Sequence, residues 1–358
     1  GSTRNQNQLL IMVKSLIQLA EKGILPDKLI RLGIRSLCRK RLDWAKEMGH
    51  QALEEHHHLW VEKLKQSPIA LVPEKANEQH YEVPPDFFEQ VLGKHLKYSS
   101  GYWPEGIYTL DQSEKVMLDI TCERADLKDG MNILELGSGW GSLTCFMAKL
   151  LPNATITTVS NSHDQGEYIQ NRCRESKIKN VNVITADMNN FKTDDIFDRV
   201  VSVEMFEHMR NYQELLRRIH GFLKPEGKLF VHIFSHKFLV YPFEDKGAGD
   251  WMSREFFSGG LMPSHRLLLH FQEDLNIENV WRISGAHYSQ TSWAWLNKMD
   301  QHKAHIIDIF SRTYGHKNAK IWWQRWRIFF MSCAELFGIN HGNEWGVSHY
   351  LFVKANSE

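Results

Sequence analysis

Two stretches of this 358-residue chain carry side chains whose types and spacing could do chemistry. The first is Ile133-Leu-Glu-Leu-Gly-Ser-Gly-Trp-Gly141, in which three glycines follow an apolar run. Pyrophosphate-binding turns use G-x-G-x-x-G, but here the spacing is G-x-G-x-G, and Glu135 stands just before Gly137. That carboxylate would repel a pyrophosphate and suits a cationic ligand, for which S-adenosylmethionine, with its sulfonium and ammonium, is the candidate. The second stretch is Glu204-Met-Phe-Glu-His208, where Glu204, Glu207 and His208 at i, i+3 and i+4 would share one face of a helical turn. Two carboxylates and an imidazole suit a basic aliphatic amine. Such an amine has a pKa near ~10.4 and must shed a proton before its lone pair can attack. His208 could take or hold that proton, Glu207 could raise its basicity, and Glu204 could attract the nitrogen as it becomes cationic.

Elements must hold these residues in place. Ile133–Leu136, Thr155–Val159, Val181–Thr185, Phe197–Val203 and Lys228–Phe234 are short runs rich in β-branched residues, separated by helical stretches such as Leu143–Leu151 and Tyr212–Leu223. Strands alternating with helices in this way predict βαβ units and a parallel sheet, with the glycine loop at the strand ends where such sheets bind ligands. Ala186-Asp187-Met188 follows the third strand and offers a carboxylate for an adenine amine and an apolar face for its ring. Upstream, apolar residues recur at helical spacing from Leu9 to about Gln66, including Leu29, Leu32, Ile34 and Leu37. His56, His57 and His58 are consecutive on that helix, so they fan out, cannot converge on one metal ion, and read as surface residues. Pro68, Pro73, Pro84 and Pro85 mark an irregular connector. Beyond Phe234 the pattern breaks into Pro/Gly/aromatic sequence, then a strand near Ile277–Ser284, helices around Trp293–Met299 and Ile321–Phe337, and a last strand His349–Lys354. The long interruption predicts a substrate-binding elaboration. The expected organisation is a helical region over 1–75, a connector and cofactor cover over 76–115, a Rossmann-like core over 116–234, and a substrate lid over 235–358 interleaved with the last strands.

Forty-three basic and forty-three acidic side chains leave no net field to draw the chain to nucleic acid or anionic lipid. No apolar run reaches the ~18–20 residues of a membrane span, and the opening Gly-Ser reads as a cloning remnant rather than a secretory signal. Cys38, Cys122, Cys145, Cys173 and Cys333 are scattered without a C-x-x-C pair, so neither a disulfide framework nor a metal site is expected, and a reducing cytoplasm is the natural compartment. A small-molecule substrate is the expected partner.

The motifs His80-Tyr-Glu-Val-Pro-Pro-Asp-Phe-Phe88, Tyr98-Ser-Ser-Gly-Tyr-Trp103, Glu135–Gly141 and Val203–Tyr212 make the chain, from about Gln79 to Lys354, resemble one branch of the class I S-adenosylmethionine-dependent methyltransferases. That branch contains the cyclopropane-fatty-acid synthases and the plant benzylisoquinoline alkaloid N-methyltransferases. Glu204 to Tyr212, with Glu344-Trp345 and Ser348-His349, is similar to the alkaloid enzymes, nearest the tetrahydroprotoberberine group. The resemblance implies an α/β fold with a mostly parallel seven-stranded sheet, a helical N-terminal extension and a helical lid. It further implies that Tyr98, Ser99 and Gly101 cover the methionine part of S-adenosylmethionine and that Glu135, Gly137, Gly139 and Gly141 back it. Asn161 and Gln165 would reach the ribose, and Asp187 and Met188 the adenine. Tyr81, Phe257 and some of the tryptophans Trp293, Trp295, Trp322 and Trp323 would line the alkaloid pocket, most aromatic residues of this lid, which also holds Phe256 and Phe330, being core. The implied substrate is a tertiary tetrahydroprotoberberine amine giving a quaternary product, with coclaurine, pavine or fatty-acyl lipid activity as alternatives, and the implied assembly is at most a homodimer.

Overall fold

A computed structural model of the chain describes residues 2–71, 78–79, 83–247 and 249–355. Seven strands form one sheet: β1 (Asn132–Leu136), β2 (Thr155–Ser160), β3 (Val181–Thr185), β4 (Phe197–Val203), β5 (Leu223–His236), β8 (Leu275–Ile283) and β9 (Trp345–Lys354), in the spatial order β3-β2-β1-β4-β5-β9-β8. The first five are mutually parallel, and β9 runs antiparallel between β5 and β8. The inner strands β1, β4 and β5 are buried and rich in Val, Ile and Leu, whereas β3 at the edge of the sheet is largely exposed. A two-stranded ribbon, β6 (Tyr241–Pro242) with β7 (Leu261–Met262), lies within the long interruption.

The sheet register brings the C-terminal ends of β1, β2 and β4 together. Glu135 pairs with Thr158 and Val201, Leu136 with Val159, and Val203 with His232 of β5. The glycine loop and the turn after β4 therefore open on the same edge. Helix α1 spans Ser2–Glu21, and α2 spans Asp27–Lys65 with a break at Gly49. Two short helices, α3 (Pro85–Val91) and α4 (Leu110–Arg124), precede β1; α5 (Ser142–Leu150), α6 (His163–Glu175) and α7 (Tyr212–Phe222) flank the sheet. The final helices are α8 (Trp251–Glu255), α9 (Gly285–Gln301), α10 (Lys303–Tyr314) and α11 (Ala319–Gly338).

One apolar core joins α2, α3, α9, α10 and α11; a second lies between the sheet, α7 and the end of α2. Among the described residues no helix is long and apolar enough to cross a membrane. Two expectations are corrected. Before its break at Gly49, α2 buries Ile30 and Cys38, whereas Leu29, Leu32 and Leu37 of the apolar series are exposed, because the buried stripe is set by packing on α11 and runs beside that series. His57 is buried, its Nε2 lying 2.7 Å from the Ser264 hydroxyl, a partner far away in sequence.

Candidate active site

A cavity opens at the C-terminal edge of β1, β2 and β4. Its lining includes Lys97, Tyr98, Ser99, Glu135, Gly137, Gly139, Asn161, Gln165, Met188, Glu204 and His208. Gly137 has a φ of +88°, and an added Cβ would stand 3.0 Å from the Met205 Cβ. Only glycine lets the loop approach the turn after β4 so closely. Glu135 points into the cavity wall, where its carboxyl accepts from the Thr144 hydroxyl and, at 2.8 Å, from the Thr158 hydroxyl. Burial pushes its pKa up to about 8, so it is protonated near neutral pH and ready to ionise against a cation. The Ser142 hydroxyl and the Gln165 side-chain nitrogen, both lining the cavity, are buried without a hydrogen-bond partner in the protein. Groups left in this state call for a polar ligand.

Three of the expected cofactor residues lie outside this lining. Gly101 packs against α4 and α9: its N–H donates to the Thr291 hydroxyl, and a Cβ would collide with Ser113. Gly141 caps α5, where a Cβ would press on Ile169. Asp187 holds the turn after β3, accepting from the Asn189 N–H.

A second, larger cavity of about 930 Å³ is lined by α1, α2, α9 and α11 and by the segment after β5. Its walls are mostly apolar and aromatic, among them Phe234, Phe257, Tyr288, Trp295 and Phe337. Of the residues expected there, Phe257 and Trp295 line it, while Phe256, Trp323 and Phe330 belong to the buried core behind it, as most of the lid aromatics are expected to. Trp293 sits under the Arg31 guanidinium instead, and Trp322 stacks on Tyr314. Tyr81 lies outside the described residues.

Tyr98, Glu204 and His208 line both cavities. Glu204 adopts a φ of +52°, a left-handed backbone conformation uncommon for a residue with a side chain. It ends β4 before the short 3-10 turn Phe206–His208, so the three acidic and imidazole groups do not share one helical face. Its carboxylate accepts from the Ser100 N–H at 2.9 Å, from His232 Nε2 at 2.9 Å and from the Tyr288 hydroxyl. Burial works to raise its pKa, but His232, the Lys97 ammonium and the Tyr288 hydroxyl together hold it below the usual carboxylate range. His208 stacks on Phe257, ring centroids 4.7 Å apart, and burial lowers its pKa to about 4, so it is a neutral imidazole at physiological pH.

Glu207 is placed differently. It lies outside the lining of both cavities and is fully buried, one oxygen accepting from the Phe234 N–H at 2.9 Å and the other without a partner. Burial, then repulsion from Glu204, raises its pKa well above the ordinary value, which makes it a neutral acid bracing β5.

Sequence reasoning missed Lys97, Tyr288 and His232. A signal existed for His232, since a polar residue within the apolar run Leu229–Phe234 must find a buried partner. Lys97 donates to the Ser99 hydroxyl and, at 2.9 Å, to the Ser100 carbonyl, fixing the connector over the first cavity; burial lowers its pKa to about 8.

The pattern of the family described as mycolic acid cyclopropane synthetase matches residues 72–345. (S)-coclaurine N-methyltransferase of Papaver somniferum is 39% identical over 95% of this chain and 98% of its own length. (S)-tetrahydroprotoberberine N-methyltransferase of Eschscholzia californica is 31% identical over 93% of this chain and 96% of its own length. The crystal structure of a coclaurine N-methyltransferase bound to N-methylheliamine and SAH superposes with a TM-score of 0.92 at 35% identity, covering 95% of this chain and 99% of that one. This order favours the coclaurine-like alternative over the expected tetrahydroprotoberberine assignment.

Proposed function

Because the chain belongs to the mycolic acid cyclopropane synthetase family and, within it, to the plant alkaloid N-methyltransferases, we propose that it methylates the secondary amine of a coclaurine-like benzylisoquinoline. The observation that carries this reading is the meeting of a polar cavity and a large aromatic cavity at Tyr98, Glu204 and His208. S-adenosylmethionine, when bound, supplies an electrophilic methyl group. Glu135 would meet its ammonium, Gly137 and Gly139 would back it, and Ser99 and Tyr98 would cover it. Asn161, Gln165 and Met188 would hold the nucleoside end, for which the partnerless Gln165 nitrogen is suited.

The amine would enter from the aromatic side, its rings packed on Phe257 and Trp295. A carboxylate has about four acceptor sites, and Glu204 uses three of them on Ser100, His232 and Tyr288. Its remaining site and its charge face the junction, where they stabilise a nitrogen that turns cationic as the bond forms. Neutral His208 can accept the amine N–H and aim the lone pair. An imidazole whose own pKa is about 4 holds a proton weakly, so His208 passes it on rather than storing it.

Incubation with labelled S-adenosylmethionine and a panel of secondary benzylisoquinolines, tertiary protoberberines and unsaturated phospholipids tests the reading. Mass spectrometry should show the secondary amines methylated with the highest kcat/KM. Methylation confined to tertiary amines would restore the tetrahydroprotoberberine reading, for which a cavity of about 930 Å³ leaves room.

A further inference from the structure

Glu204 stands at the end of a hydrogen-bonded chain that leaves the junction and crosses the sheet. His232 on β5 contacts the carboxylate through Nε2 at 2.9 Å. Its Nδ1 lies 2.9 Å from Nε2 of His349, the residue directly opposite on β9. His349 Nδ1 in turn lies 2.8 Å from a guanidinium nitrogen of Arg124, the last residue of α4, whose other face packs on the Trp281 ring. Both imidazoles are fully buried.

The direction of this chain is fixed by chemistry. A guanidinium carries only donors, so His349 Nδ1 accepts and its single proton sits on Nε2. His232 Nδ1 must then accept, which puts the His232 proton on Nε2, where it donates to Glu204. Every hydrogen bond points inward, and both rings are neutral.

We infer that Arg124, His349 and His232 are positioning residues that hold Glu204 ionised and aimed at the amine, and that this chain does not carry the amine's proton outward. It cannot do so because its outer end is a guanidinium, which has no lone pair to accept a proton. The amine's proton therefore leaves on the cavity side, past His208. The Ser100 N–H and Lys97 from the connector and the Tyr288 hydroxyl from α9 share the task at Glu204, while His208 and neutral Glu207 on the turn and the Cys333 thiol on α11 also feel its charge. The Arg124 chain, however, is what requires His232 Nδ1 to accept and so keeps the His232 proton on Nε2, toward the carboxylate. Without Arg124, His349 and His232 are free to exchange tautomers. A His232 bearing its proton on Nδ1 presents a lone pair to Glu204, and two acceptors in contact recruit a proton.

This inference rests on the reading of Glu204 as the amine-facing carboxylate, and the experiment separates the two. The pH dependence of kcat for coclaurine methylation is compared in the wild type, Glu204→Gln, Arg124→Met, Arg124→Lys, His349→Phe and His349→Gln, with near-ultraviolet circular dichroism as the check on folding. Arg124→Met should move the acidic limb of kcat upward by about one pH unit, so that the loss approaches ten-fold on that limb and fades toward pH 7, with the KM for S-adenosylmethionine unchanged. Arg124→Lys keeps a donor and should recover most of the loss. His349→Gln, whose amide can accept at one end and donate at the other, should outperform His349→Phe, and this pair carries the test if Arg124→Met does not fold. A profile for folded Arg124→Met or His349→Phe that coincides with the wild type, or equal impairment of Arg124→Lys and Arg124→Met, overturns the relay. Should Glu204→Gln itself keep wild-type kcat, the assignment of Glu204 falls and the relay falls with it.

Discussion

The two cavities that meet at Glu204 are built by opposite means. The cofactor-side cavity takes much of its wall from strand ends and loops close together in the chain, Glu135 to Gln165, and its polar groups are anchored to one another by Thr144, Thr158 and Ser160. The substrate-side cavity is assembled from both ends of the chain. Helices α1 and α2 form one wall, α9 and α11 another, and ion pairs from Arg31 and Arg35 to Glu335 and from Arg327 to Asp27 hold them together. Under the proposed function the difference separates two tasks. Chemistry is fixed by a backbone that the sheet makes rigid, whereas the shape offered to the amine depends on helices whose mutual placement is set by a few long-range contacts.

The sharpest way to break this comparison is at the glycine loop. An added Cβ at Gly139 meets no protein atom within 4 Å, and the residue lines the cofactor-side cavity, so Gly139→Val directs its bulk into ligand space. Valine also strains the loop, whose φ here is +54°, so the expected outcome is cofactor binding abolished by calorimetry in a protein whose circular dichroism still shows the sheet folded; wild-type binding would place the cofactor elsewhere. Next comes Glu204→Gln. Loss of a solvent-excluded charge contact of about 2–4 kcal/mol should lower kcat roughly 30–1000-fold at every pH. A loss seen only in the KM for the amine would assign Glu204 to the substrate side alone.

His208→Ala should cost about 10–100-fold in kcat at pH 7, and the deficit should shrink as pH rises and more amine arrives neutral. Because its pKa is about 4, His208 does not itself titrate in that range, so a deficit independent of pH would mean that the imidazole only orients. A smaller effect is expected from Glu135. Its carboxyl is protonated in the free protein below about pH 8 and would ionise against the ligand ammonium. Binding should therefore release up to one proton near pH 7, and affinity should rise with pH until about 8; calorimetry in buffers of different ionisation enthalpy counts the proton. The smallest effect belongs to the substrate side. Glu335→Gln weakens pairs whose arginines are partly solvated, a change of about 1 kcal/mol. It should raise the KM for the amine a few-fold and leave cofactor affinity untouched, whereas a matching loss of cofactor affinity would show that the two cavities are not independent.

The same division governs what could be read from the sequence. Strands β1 to β4 fall within a residue of their expected positions because each is a short run rich in β-branched residues set between helical stretches, a signal that holds even for the largely exposed edge strand β3. β5 extends beyond its expected span, since Lys224 to Gly227 look like a turn yet continue the strand toward Leu223, which pairs with Phe197. Helix α10 was not expected; its residues Lys303–Tyr314 have mixed polarity, and only packing on α11 settles them. At the site, the glycine loop and Glu204 were legible as local motifs. The partners of Glu204 were not, because Ser100, His232 and Tyr288 reach it from three distant parts of the chain. The substrate subclass was least legible, as the quoted motifs surround the cofactor and the junction while the alkaloid-facing walls belong largely to helices that carry none.

Gly49 gives that separation a physical joint. It breaks α2 at φ +77° and ψ 167°, backbone angles open essentially to glycine, and an added Cβ would touch nothing within 4 Å. The residues of α2 that line the substrate-side cavity, from Leu29 to Arg41, precede the break; Trp60, Val61 and Leu64, which pack beneath the sheet, follow it. The first 48 residues thus meet the rest of the chain covalently at one glycine and otherwise through their packing and ion pairs on α11. Exchanging them between relatives would replace one wall of the larger cavity and leave the α9 and α11 wall, and the strand-end site, in place.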